Sequence, residues 1–134
     1  MIKLLLLAAL LTFIYDYTQE MNHQELMDIS QTTPHLAKEE ADFLKRKLHL
    51  SSIQYDCVLE ITTAALTLYN RAVQDLYFQD LSTSEKMHTA TQLQKLILKD
   101  KSSKIRTILN ARQWDIYQGK KEYITERFWP DMSI

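Results

Sequence analysis

Along most of this chain, apolar residues recur at steps of three and four, the spacing that gathers them on one face of an α-helix. The first segment is different. Residues 4–11 are an unbroken run of Leu and Ala, extended by Phe13, Ile14 and Tyr15 and preceded by Lys3. A positive charge followed by a short apolar run has the layout of a secretory leader. It falls short of the about 20 apolar residues that span a bilayer comfortably. No Ala-x-Ala cleavage pattern follows. Residues 1–15 are therefore expected to be a signal peptide or a short membrane anchor, and residues 16–32, polar and without rhythm, a linker.

The domain is expected over residues 33–129. Thr33-Pro34 reads as a helix start, with Thr33 as cap and Pro34 in the first helical position. Ala37, Ala41, Leu44 and Leu48 then form one stripe over about four turns. Leu50-Ser51-Ser52-Ile53-Gln54 opens a second, longer helix reaching about Gln79. Here Ser51 accepts the N–H near the third helical residue, and Gln54 reaches back to the N–H of Ser51. Two stripes run along this helix: Val58, Ile61, Ala65, Leu68 and Ala72, and Tyr55, Leu59, Leu66, Tyr69, Val73 and Leu76. A face that wide packs against more than one neighbour. Ser82 and Glu85 start a third helix bearing Met87, Ala90, Leu93, Ile97, Ile105 and Ile108. Lys101 and Ser102 interrupt its stripe, which implies a bend or a stretch facing solvent or a partner. Leu109-Asn110-Ala111-Arg112-Gln113 repeats the box and opens a fourth helix, with Trp114, Tyr117, Ile124 and Phe128 in phase. Gly119 inside it costs about 1 kcal/mol against Ala and marks a kink or a close approach. Residues 130–134, beginning with Pro130, are a tail. The expectation is an all-α fold of four helices, a long antiparallel hairpin of the second and third with two shorter flanking helices.

Composition agrees with this. One Gly and two Pro among 134 residues leave too little punctuation for an all-β or Rossmann-type fold. The formal net charge of −1, with both signs interspersed, lacks the uncompensated basic face of a nucleic-acid binder. The local basic run Lys99, Lys101, Lys104 and Arg106, broken by Asp100, reads first as a solvated helix face. The single Cys57 excludes an intramolecular disulfide and reads as a small, half-buried apolar residue, with a dimer-linking thiol as the alternative.

Chemistry is hard to place on these residues. No phosphate-binding loop, dinucleotide fingerprint, zinc-protease helix or nucleophile elbow occurs. His23, His35, His49 and His88 are scattered; Met21, His23 and Met27, and the pair Met87-His88, are the combinations nearest to a metal site, and they read as surface histidine and core methionine. No cofactor, no metal and no enzymatic activity are expected.

Together with the leader, the small size and the four helices, the two boxes Leu50-Ser51-x-x-Gln54 and Leu109-Asn110-x-x-Gln113 resemble the Leu-Thr-x-x-Gln motif of the Spy/CpxP family. Ser and Asn stand where the motif has Thr, and both keep its capping chemistry. The resemblance implies a small periplasmic protein that forms a curved, thin helical homodimer. Its concave face would hold unfolded envelope proteins without ATP, or it would act as a stress or metal sensor on one dedicated partner protein. Leu50, Ser51, Gln54, Leu109, Asn110 and Gln113 are then fold determinants. Lys99, Lys101, Lys104 and Arg106 are the expected client contacts, a reduced version of the family's basic surface. Contact with a membrane would come only through an uncleaved leader.

Overall fold

In a computed structural model the chain is described over residues 23–129, and its side chains over residues 33–129. The leader, residues 16–22 of the expected linker and the tail lie outside the described residues, while residues 23–32 of that linker are helical. Four helices make up the described part: α1 (His23–Leu48), α2 (Ser52–Phe78), α3 (Thr83–Arg106) and α4 (Ala111–Phe128). Each is joined to the next by only a few residues. α2, α3 and α4 begin where the sequence places their caps. Ser51, Ser82 and Asn110 each accept from the N–H three residues on, and the side chain of that residue returns a bond to the cap.

α1 departs from expectation. It starts ten residues ahead of Thr33 and, at 26 residues, is nearly as long as α2 at 27. Pro34 lies inside it, where a missing N–H and a crowding ring normally break a helix. Thr33 is not a cap. It is buried, and its hydroxyl oxygen accepts from Asn70 Nδ2 of α2 at 2.9 Å. Tertiary packing thus carries α1 through its proline. It ends at His49, whose φ of +53° is the left-handed conformation usually given to Gly. The N–H of Leu50 reaches back to the Lys45 carbonyl, and Leu50 itself is buried.

α1 packs on α2 and α4, and α2 packs on α3. Asp42 meets Tyr55, Glu40 meets Thr62 and Thr33 meets Asn70, so α1 and α2 run in opposite directions. The main core gathers Ala37, Ala41, Leu44, Val58, Leu66, Tyr69, Ile97, Ile105, Tyr117, Ile124 and Phe128. Burying each large aliphatic side chain contributes about 1.5–3 kcal/mol. A smaller cluster of Ala72, Leu76, Ala90 and Leu93 closes the α2–α3 pair near its connection. Met87, placed on the same stripe by sequence, is half exposed instead. Gly119 makes no close approach, since a methyl group there would meet nothing within 4 Å.

Candidate functional site

The two repeated boxes are brought together. Ser51 and Gln54 start α2, Asn110 and Gln113 start α4, and the two glutamines face each other across the bundle. Gln54 Nε2 donates to Gln113 Oε1 at 2.9 Å, and Gln113 Nε2 donates to Gln54 Oε1 at 3.2 Å. Each Oε1 also accepts the N–H of its own cap, Ser51 at 2.9 Å and Asn110 at 3.0 Å. Each Nε2 makes one more bond, to a carbonyl at the end of a different helix: Gln54 to Ile108 beyond α3, Gln113 to Leu48 at the end of α1. One pair of side chains therefore satisfies groups at four helix ends that helical bonding leaves open. Leu50 and Leu109 precede the caps and pack into the same core, one buried and one partly so. This latch is a structural lock, with no group poised for acid–base or nucleophilic work.

Behind it, at the centre of the bundle, is a buried ion pair. Glu40 of α1 binds Lys101 of α3, and its other oxygen accepts from Trp129 Nε1 at 2.8 Å. Thr62 of α2 donates to the same carboxylate at 3.3 Å. The Lys101 ammonium also lies 5.3 Å from the centre of the Trp129 ring. Burial pulls the Lys101 pKa down, against the pull of Glu40. Lys101 is 1% exposed. This corrects its reading as a client contact: the interruption in the α3 stripe is a charge turned into the core, where it meets a carboxylate.

Nearby Tyr117 is buried, which pushes its pKa up to about 12, with a hydrogen bond to Ser102 acting the other way. Tyr55 donates to Asp42 at 2.6 Å; that bond holds the Asp42 carboxyl below its usual range and raises the Tyr55 hydroxyl.

The rest of the basic run divides. Lys104 is exposed and pairs with Asp100 at 3.0 Å. Lys99 and Arg106 instead line a groove of about 400 Å³ between α3 and α4, joined there by Lys95 and Lys121. The floor includes Trp114, stacked on Tyr117 with ring centres 5.5 Å apart. Arg106 and Lys121 stand over the indole at 5.4 and 5.0 Å. The hydroxyls of Ser102 and Ser103 complete the lining, which contains no carboxylate. None of the ion pairs among the described residues involves these four cations. Sequence reasoning missed Lys95, Lys121 and Trp114. Lys95 and Lys99 are four apart on one helix face, a signal that was available, but Lys121 joins them only through the packing of α4.

Met87 and His88 are exposed, and Met21, His23 and Met27 lie outside the described side chains. Cys57 is half-buried. Among the described residues, no three His, Cys, Asp or Glu side chains converge as metal ligands would. No protein-family model matches the chain, and neither a curated protein nor a solved structure matches it.

Proposed function

We propose that this is a non-enzymatic, exported binding protein of the Spy/CpxP type, which captures unfolded envelope proteins in the periplasm without ATP. Support comes from the α3–α4 groove, where four cations without carboxylate ion-pair partners gather around the partly buried indole of Trp114. Such a surface attracts acidic stretches of a non-native chain and offers an aromatic contact once they arrive. Release follows as the client folds and buries its own apolar surface. The contacts are Lys95, Lys99, Arg106, Lys121 and Trp114. Lys104 contributes at the margin, and Lys101 takes no part. In this reading the paired boxes stand in for the family's Leu-Thr-x-x-Gln motif, and a homodimer is the working form.

A second reading is a stress or metal sensor that binds one dedicated partner. It is favoured by the convergence of the cations on one bounded groove, where a broad capture surface would spread them.

The test is light scattering from a denatured, aggregation-prone client mixed with the purified protein and no ATP. Suppression near equimolar ratio is expected, weakened by salt and by a Lys95→Gln/Lys99→Gln/Arg106→Gln variant that remains helical by circular dichroism. A folded sample that suppresses nothing would overturn general capture. Saturable binding to a single envelope protein would then establish the second reading.

A further inference from the structure

Six large apolar side chains are exposed among the described residues, and four of them, Tyr77, Phe78, Leu81 and Met87, fall at one end of the bundle, around the α2–α3 connection. Phe78 is 74% exposed and Tyr77 62%. They are held as a unit. The two rings pack edge to face with centres 5.4 Å apart. Lys86 of α3 donates to the Tyr77 carbonyl at 2.9 Å and stands over its ring. The tip is thus ordered by its own contacts, and its four large apolar side chains stand exposed among the described residues.

The direction of α1 says what faces this end. Contacts between α1 and α2 run from Asp42–Tyr55 through Glu40–Thr62 to Thr33–Asn70. Moving toward the N-terminus of α1 therefore means moving toward Phe78, so the chain enters α1 from the side of the aromatic tip. What precedes α1 in the sequence includes the apolar run of residues 4–15. A segment of that composition partitions into lipid, and a chain tethered by it presents its entry end to the bilayer. Phe and Tyr side chains at such an end suit the boundary between headgroups and acyl chains, where an apolar ring and a polar group are both accommodated.

We infer that the Tyr77, Phe78, Leu81 and Met87 tip docks on a lipid bilayer, with residues 4–15 as its tether and the latch end held away from the surface. Asp80, Glu85 and Lys86 leave the tip without excess positive charge. Docking there is therefore driven by apolar burial and is insensitive to salt, unlike capture in the groove.

The inference is tested with the full chain bound to phosphatidylcholine vesicles. In a Cys57→Ser background, an environment-sensitive fluorophore is attached at Phe78→Cys or, at the opposite end, at Ile53→Cys. Ile53 is 78% exposed, so both labels start in water. With vesicles, the label at 78 is expected to brighten several-fold, shift to the blue and be quenched by nitroxide-bearing lipid, while the label at 53 does none of these. Equal responses at both positions, or none at 78, would overturn it. So would a blue shift at 78 that needs no vesicles and grows with protein concentration, which would assign the tip to a second copy of the chain. None of these readouts involves a client, so the outcome is independent of the capture assay.

Discussion

The two ends of this bundle are capped by the same device and put it to different uses. At one end the boxes of Ser51–Gln54 and Asn110–Gln113 are locked together, glutamine to glutamine, and draw in the ends of α1 and α3 as well. At the other, the Ser82–Glu85 box closes only its own helix, and the residues around it are exposed aromatics. The difference lies in the third residue of the box. Gln carries both an acceptor and donors, so it can serve its own cap and still reach across. An ionised Glu only accepts. The latch end is therefore tertiary structure, and the tip end is local structure on which a surface is displayed.

The most damaging way to erase that contrast is to remove what both ends share, the central ion pair. Glu40→Ala strands a buried ammonium and the indole N–H of Trp129, and should cost about 3–5 kcal/mol in urea unfolding. Glu40→Leu with Lys101→Met should recover most of the loss, because the uncompensated charge is gone. If the double variant is as unstable as the single, burial of charge is not the cause.

Alkali offers a way to attack the latch end alone, because the two tyrosines with raised hydroxyls, Tyr117 and Tyr55, both stand near it. A raised native pKa gives stability that is complete below the unfolded value of about 10 and is lost as pH climbs toward about 12. For Tyr117 this amounts to at most about 2.7 kcal/mol. Tyr117→Phe should flatten the decline seen in denaturant titrations across that window; an unchanged slope would remove Tyr117 as its source.

The latch itself is measured by a double-mutant cycle. Gln54→Ala and Gln113→Ala should each cost about 1–3 kcal/mol, and should couple by about 1 kcal/mol because each removes the other's partner. Gln113 with Glu85 should show no coupling. The smallest effect belongs to the tip. Ser82→Ala should cost about 1 kcal/mol as a lost cap, and Phe78→Ser less than about 0.5 kcal/mol. A large loss from Phe78→Ser would mean the tip is part of the core after all.

The same contrast explains what could be read in advance. The three boxes were legible because capping is local: residue types three positions apart carry the whole signal. Thr33-Pro34 carried a local signal too, and it misled. The bond from Asn70 and the packing of α1 on α2 outweighed the proline, and no window around residue 34 contains Asn70. Lys101 is the converse case. Ile97, Lys101 and Ile105 share a helix face, and Glu40 lies beside Ala37, Ala41 and Leu44, so two opposite charges within apolar stripes could have been paired by inspection. Read as one member of a basic run, Lys101 was placed at the surface. The groove was half legible, through Lys99 and Arg106. Its other wall depends on how α4 docks, which the spacing of residues within α4 does not reveal.

The bonds to Glu40 carry a consequence for the order of assembly. Its partners stand 22, 61 and 89 positions further along the chain, the last being Trp129. A chain synthesised from its N-terminus can form α1 and α2 early, but leaves that carboxylate partly satisfied until the final helix arrives. Closing such distant contacts is slow compared with forming the helices themselves. The shell of Glu40 is therefore completed only when the last residues of the domain have been made, which ties the finished core to the C-terminal helix.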